Sequence, residues 1–133
     1  MGSGSRIPGQ RAHGGVLLVP ARVNGQDFDF LLDTGSAFTG LSRATVTALG
    51  LAPKPGATRR IALANGGVAM LPMVVLPELR VGGHAASNLA AMVLDLTEEL
   101  RFRGILVMDF LGRFRVTIEP DTATLVLRPV RHR

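Results

Sequence analysis

Four short clusters of turn-forming residues divide this chain of 133 residues into runs of strand formers. The clusters are Asn24-Gly25, Asn65-Gly66-Gly67, Gly82-Gly83 and Pro120-Asp121. Asparagine and glycine tolerate the positive φ angle that a tight hairpin turn requires, which makes Asn-Gly the strongest of these signals. Short strand-forming runs at such close spacing, with little helix between them, are typical of a mostly β domain built as a barrel or a sandwich.

The runs between the turns predict the individual elements. The predicted strands are residues 16–23, 26–32, 37–41, 60–64, 68–71, 74–81, 87–96, 104–107, 113–119 and 122–127. Pro20 in the first strand indicates an edge or a bulge. Ser42 is a suitable N-cap for a helix over residues 43–49, which Gly50 would end, and residues 108–111 predict a single helical turn.

One predicted strand leads directly into a single carboxylate. Residues 26–32 alternate so that Phe28, Phe30 and Leu32 share a face, and Asp33 follows at once. Taking an unpaired carboxylate out of water beside an apolar run is costly, so folding alone gives no reason for an acid at this place. Asp33 is therefore the candidate reactive group, and the alternative is an aspartate that merely caps a turn.

The composition argues against several classes of function. With 47% apolar and 19% charged residues, the chain predicts one globular domain with a real core. The net charge is +5, but the arginines are spread along the chain and Trp and Tyr are absent, which argues against nucleic-acid binding. The absence of cysteine excludes disulfides and thiolate chemistry. The longest apolar stretches, such as residues 70–76, are far shorter than a membrane span.

No cofactor and no metal are predicted. His13, His84 and His132 have no second histidine or acid at ligand spacing, which argues against a metal site. The sequence contains no Gly-rich phosphate loop, and no serine lies in a nucleophile-elbow motif. The chemistry is therefore expected to come from side chains such as Asp33.

The two ends of the chain predict little structure. Residues 1–15 begin with small polar residues and predict a flexible lead or a cloning remnant, and residues 129–133 predict a basic tail. The predicted domain spans residues 16–128. Contact with a membrane is expected only through a targeting or anchor segment outside this chain.

Three stretches of the chain match the pattern of a known family, in the same order. They are Leu31-Leu32-Asp33-Thr34-Gly35, then Ala64-Asn65-Gly66, then Gly104-Ile105-Leu106-Val107-Met108-Asp109-Phe110-Leu111. This order resembles the retropepsin-like aspartic proteases, in particular their bacterial single-domain group, over about residues 16–128. The resemblance implies a mostly β fold, a small closed β-barrel-like retropepsin (acid protease) domain with one or two short helices.

The resemblance also implies a site that two copies of the chain share. The chain has one Asp-Thr-Gly, and a two-fold homodimer would bring Asp33 against its own copy, so that the two carboxylates share a proton. Water held between them would attack a peptide bond, with one carboxylate as general base and the other hydrogen-bonded to the carbonyl oxygen. Thr34 would bind across the dimer axis, Gly35 would let the backbone turn closely, and Ser36 would hydrogen-bond the carboxylate.

The hairpin at the second turn cluster resembles the family's flap. Its tip residues are Ala64, Asn65, Gly66 and Gly67. A flap of this kind closes over an extended peptide or protein substrate and excludes water from the reaction. The resemblance favours a bacterial periplasmic or membrane-associated location, with the cytoplasm as the alternative.

The stretch behind the catalytic loop departs from the family pattern at one position. Ile105 and Leu106 match, whereas Val107 stands where the family has a glycine that packs tightly behind the loop. A β-branched residue there is expected to crowd the loop or shift the dimer, so that Val107→Gly should raise activity. Asp109 is expected to be structural, near the start of a short helix, and not a second catalytic acid.

Three functions are therefore compatible with the sequence. The first is an aspartic endopeptidase that works as a homodimer through Asp33. The second, motivated by Val107, is a peptide-binding or scaffold module that keeps the fold without turnover. The third is a binder of anionic surfaces that uses the arginines near the two ends of the chain.

Overall fold

The computed structural model of this chain describes residues 4–12, 15–33, 39–53, 56–62, 65–96, 100 and 102–130. These residues form strands and two short helices, which confirms the predicted mostly β class. In chain order the elements are β1 (Ser5–Pro8), β2 (Gln10–Arg11), β3 (Leu17–Val23), β4 (Gln26–Leu32), β5 (Thr39–Ser42), α1 (Arg43–Ala48), β6 (Thr58–Ala62), β7 (Val68–Val81), β8 (His84–Leu94), β9 (Gly104–Leu106), α2 (Met108–Leu111), β10 (Phe114–Glu119) and β11 (Thr124–Pro129). In the described ranges, no helix has the length and apolar character needed to span a membrane.

Six of the strands close into a barrel. Their order is β3-β4-β9-β5-β8-β7, and β7 pairs back with β3 through Arg22–Arg80 and Val23–Leu79. The strands β2 and β6 extend this sheet, and a separate sheet has the order β1-β11-β10. Two of the strand pairs in the barrel, β4–β9 and β5–β8, are parallel. Closure removes free sheet edges from the barrel, and the closed barrel confirms the predicted fold.

The turn and cap residues adopt the backbone that their chemistry predicts. Asn24 and Gly25 have φ angles of 49° and 82° and join β3 to β4, as expected for an Asn-Gly hairpin. The Ser42 hydroxyl oxygen caps α1 by accepting the Thr45 N–H at 3.2 Å. Gly50, which follows the end of α1, has a φ angle of 71°.

The strand β7 corrects one detail of the prediction. It is a single strand of 14 residues, whereas the sequence predicted two strands, over residues 68–71 and 74–81. The predicted break at Pro72 is instead a change of partner, because Pro72 is the last residue paired with β6 and Met73 is the first paired with β8. Proline removes one N–H but keeps the backbone extended, so the strand continues through it.

The N-terminal segment is a second correction. The prediction of a flexible lead over residues 1–15 is wrong for β1, which pairs with β11 along its whole length, and for β2, which pairs with β3. Ile7, the one large apolar side chain in residues 4–12, is 4% exposed and joins the main core. A single apolar residue among glycines and polar residues has no strand periodicity, so this pairing left no local signal. At the other end, β11 extends to Pro129, the first residue of the predicted basic tail.

An ion pair ties β1 to the far strand of its own sheet. Arg6 on β1 donates hydrogen bonds to both carboxylate oxygens of Glu119 on β10. The hydrogen bond from Arg6 holds the pKa of the Glu119 carboxyl below its ordinary value. This pairing therefore stabilises the fold above the unfolded-state pKa of Glu119, and the contribution is lost as pH falls through the lowered pKa.

The central strand β9 depends on a glycine. Gly104 is buried between β4 and β5, where it pairs with Phe30 on one side and Leu41 on the other. A Cβ atom at this position would lie 2.6 Å from Cε2 of Phe30 and 2.8 Å from the carbonyl oxygen of Gly40. Phe30 is fully buried and the Gly40 oxygen belongs to the backbone, so neither can move away at low cost.

Gly104→Ala should lower the free energy of unfolding by about 1–3 kcal/mol, because the added methyl group overpacks the centre of the sheet. Gly83→Ala is the matched control, since a Cβ atom there would lie 3.9 Å from the Ser5 hydroxyl oxygen, its nearest neighbour. Urea unfolding of both variants measures the difference. Equal stability of the two variants would contradict this packing argument.

Candidate active site

Asp33 lies where two parallel strands end together. The strands β4 and β9 pair in parallel as far as Leu32 and Leu106, so their carboxyl ends meet at one end of the barrel. Asp33 follows Leu32, and its backbone N–H donates to the carbonyl oxygen of Leu106 at 3.0 Å. This bond extends the ladder by one residue and fixes the Asp33 backbone, while Asp33 itself is half-buried. The carboxylate is therefore carried on a rigid strand end.

Thr39, the first residue of β5, is held by two hydrogen bonds. The backbone N–H and the hydroxyl of Thr39 both donate to the Asp109 carboxylate, at 2.8 Å and 2.7 Å. Asp109 lies in the first turn of α2, which follows β9. The strand β9 lies between β4 and β5 in the sheet. Asp33 at the end of β4 is held by β9, and Thr39 at the start of β5 is held by α2, which follows β9. This contact supports the structural role expected for Asp109.

Some predicted site residues lie outside the described residues. These are Thr34, Gly35, Ser36 and Ala64. Their roles in the loop and the flap stay predictions. Thr39, in contrast, was not identified from the sequence, because nothing local marks a threonine whose partner is 70 residues away.

The predicted support residues lie at the end of β9, the strand that pairs with the end of β4. Leu106 and Val107 are fully buried, and Ile105 is half-buried. The carbonyl oxygen of Val107 accepts the N–H of Leu111 at 2.9 Å, which makes it part of the first turn of α2. The side chain of Val107 is thus enclosed within a single copy of the chain.

The hairpin predicted to be a flap joins β6 and β7 at the edge of the sheet. Its turn contains Gly66, with a φ angle of 87°, and the side-chain oxygen of Asn65 accepts the N–H of Gly67 at 2.8 Å. Asn65 and Gly66 are exposed. The tip is therefore a glycine turn organised by one asparagine, a geometry that suits a closing element.

The same hairpin carries exposed apolar side chains. Val68 is 52% exposed and Met70 is 59% exposed. Side chains alternate along a strand, so both lie on the same side of β7 as Val74 and Leu76, which are buried in the core. The exposed apolar surface of the hairpin is therefore a continuation of the barrel interior.

No metal-binding cluster competes with Asp33 as a site in the part of the chain that the structure describes. There, no group of three or more His, Cys, Asp or Glu side chains could hold a metal ion. Asp27 is exposed and accepts two hydrogen bonds from Arg22, which hold the pKa of Asp27 below its ordinary value. Asp27 is thus a paired surface acid, as expected for a solvent-facing strand residue.

The closed barrel, with Asp33 at the end of β4 beside the buried strand β9 and an exposed hairpin at the sheet edge, agrees with the acid-protease fold that the sequence resembles. The sequence matches the family model described as aspartyl protease over residues 19–110, which is more than half of the chain. The chain belongs to this aspartyl protease family.

Two solved structures illustrate the fold. A retropepsin-like aspartic protease from Rickettsia conorii matches with a TM-score of 0.72 and 23% identity, covering 97% of this chain and 92% of that chain. The retroviral protease-like domain of Ddi1 from Leishmania major matches with a TM-score of 0.57 and 16% identity, covering 86% and 92% respectively. These structures confirm the retropepsin-like fold expected from the sequence. Comparison with curated protein sequences finds no match.

Proposed function

We propose that this chain is an aspartic endopeptidase that works as a homodimer, with Asp33 of each copy forming the catalytic pair. The observation that carries the proposal is the half-buried Asp33 at the joint end of β4 and β9, in a member of the aspartyl protease family. Asp109, in α2 after β9, accepts two hydrogen bonds from Thr39, which gives its carboxylate a structural role. A two-fold axis beside Asp33 would bring this residue against its own copy, so a second copy would supply the second acid.

In such a dimer the two Asp33 carboxylates hold one water molecule and share one proton. The ionised carboxylate takes a proton from the water as the water oxygen attacks the peptide carbonyl carbon. The protonated carboxyl donates a hydrogen bond to the carbonyl oxygen, which gains negative charge. The tetrahedral intermediate then collapses when the carboxyl that took the proton from water gives it to the amide nitrogen, the C–N bond breaks and the nitrogen leaves as an amine, so that the pair again holds one proton. Thr34, Gly35 and Ser36 would hold the two loops in position.

The substrate in this proposal is an extended peptide or protein segment. The exposed side chains of Val68 and Met70 offer apolar contact to it, and the β6–β7 hairpin would close over it. Closure would exclude water and strengthen the polar interactions around the reacting carbonyl group.

Cleavage of a peptide library between acidic and neutral pH tests the mechanism. The wild-type chain should cut peptides, and Asp33→Asn should not. Equal cleavage by both chains would overturn the aspartic mechanism. Cleavage by neither would favour a peptide-binding or scaffold module, the alternative that Val107 motivates. Sedimentation provides a second test, because a chain that stays monomeric at high concentration cannot form the pair.

The structural role of Asp109 makes a separate prediction. Asp109→Asn should keep most of the activity, because the amide oxygen can still accept a hydrogen bond from Thr39. Asp109→Ala loses both contacts and should cost about 1.5–3 kcal/mol of stability. Cleavage rates and thermal melting of the two variants check this. Loss of activity in Asp109→Asn as complete as in Asp33→Asn would indicate a catalytic acid instead.

A further inference from the structure

The hairpin of β6 and β7 has two chemically different faces. Residues directly opposite each other in an antiparallel pair share a face, so the observed register fixes the division. The first face, named the inner flap face, consists of Thr58, Arg60, Ala62, Val68, Met70 and Pro72. The opposite face consists of Arg59, Ile61, Ala69 and Leu71. The two adjacent arginines therefore point to opposite sides of the hairpin.

The inner flap face continues the interior of the barrel. Val74 and Leu76, on the same side of β7, are 3% and 0% exposed in the core. Towards the start of β7, this side of the strand lies outside the core, and Met70 and Val68 are exposed. A peptide held between the hairpin and Asp33 would therefore meet the inner flap face.

Arg60 places a positive charge in this apolar surface. It is exposed, and it lies directly across the strand pair from Met70. The paired segments Thr58–Ala62 and 68–72 contain two arginines and no carboxylate. Four ion pairs join described residues, and none of them includes Arg60. Within the described structure, no carboxylate offsets the charge of Arg60.

This combination of groups matches a particular kind of side chain. Closing the hairpin over a peptide would remove water from around Arg60, which strengthens its attraction for a carboxylate and its repulsion of a cation. Val68 and Met70 would contact apolar groups of the same peptide. A segment with Asp or Glu close to apolar residues satisfies both requirements.

We propose that Arg60 is a specificity-determining residue that selects substrates with Asp or Glu near the cleaved bond. The inference rests on the proposed function, because it assumes that the hairpin closes over a peptide cleaved at Asp33. A two-fold dimer would place one Arg60 on each side of the bond, so the preference should appear on both sides. Arg60 lies about five residues from the hairpin tip, and strand and peptide advance by similar distances per residue, so the acidic residues are expected within about five positions.

The test compares cleavage of a proteome-derived peptide library by the wild type, Arg60→Gln and Arg59→Gln. The wild type should cut sites with Asp or Glu in this window about two- to fivefold more often than sites with Asn or Gln there, the range that an exposed ion pair supplies. Arg60→Gln should lose the preference. Arg59→Gln, one residue away on the opposite face, should keep it.

A pH series separates charge from side-chain size. Synthetic peptides that differ only by Glu or Gln in the window are compared by their kcat/KM values. The ratio should fall towards one as pH drops below about 4, because the glutamate of the substrate loses its charge near its ordinary pKa of about 4.3. If Arg60→Gln acted only by altering the hairpin fold, kcat/KM would fall equally for the Glu and the Gln peptide. Their ratio would then stay at the wild-type value.

The outcomes distinguish the inference from the function on which it rests. Cleavage by the wild type without acidic preference, or an equal loss of preference in both arginine variants, would overturn the role of Arg60 and leave the peptidase standing. No cleavage of any peptide by the wild type would overturn the proposed function, and the specificity inference would fall with it.

Discussion

An equal mixture of wild-type and Asp33→Asn chains, after subunit exchange, should show about one quarter of the activity of the same total amount of wild type. Random pairing places about a quarter of the chains in wild-type homodimers and half in mixed dimers, which have one Asp33 carboxylate only. If the two carboxylates act as a pair, the mixed dimers are inactive. Peptide cleavage rates across a series of mixing ratios should therefore follow the square of the wild-type fraction.

Asp33→Asn alone should lower kcat/KM by at least about 10²–10⁴-fold, the usual contribution of general acid–base catalysis. Asparagine has nearly the shape of aspartate, and the bond from the residue 33 N–H to the Leu106 oxygen does not involve the side chain. The variant should therefore melt close to the wild type and still form dimers, which thermal melting and sedimentation check. These controls ensure that lost activity reports lost chemistry.

A linear mixing curve would contradict the shared site. It would leave half of the activity at an equal mixture, as expected when each copy holds a complete catalytic centre. In that case the second acid would have to come from the same chain, and Asp109 would be the first to test. The contact of Asp109 with Thr39 argues against this result.

Local chemistry was sufficient to predict the elements around Asp33. The Asn24-Gly25 turn, the alternation of β4 and the cap at Ser42 are each encoded by a few neighbouring residues. The structure places them as expected, because turn chemistry and side-chain periodicity act within one element. The position of Asp33 at a strand end follows from the same local pattern.

Contacts between distant parts of the chain were not predictable in this way. The parallel pairing of Leu32 with Leu106 sets the surroundings of Asp33, and the bond from Thr39 to Asp109 holds the start of β5. Neither contact leaves a mark in the residues that flank it. The strand β1 was missed for a similar reason, since its pairing with β11 depends on one buried side chain, Ile7.

The burial of Val107 changes the expectation drawn from the family pattern. Its side chain is fully buried within one copy, so it cannot touch a partner subunit directly. Val107 directly follows Leu106, whose carbonyl oxygen accepts the Asp33 N–H, and glycine at position 107 would leave a cavity in place of the buried side chain. Val107→Gly should therefore loosen the support of Asp33, and we expect kcat/KM to fall and not to rise.

The same variant should lose about 3–4 kcal/mol of stability, from the cavity and from the added freedom of a glycine backbone. This corresponds to a melting temperature lower by about 10–20 °C for a domain of this size. Val75→Gly is the matched control. It makes the same chemical change in a strand, but at a side chain that is 46% exposed. If Val107→Gly melts no lower than Val75→Gly and cleaves peptides faster than the wild type, Val107 crowds the loop and the family glycine is the better residue.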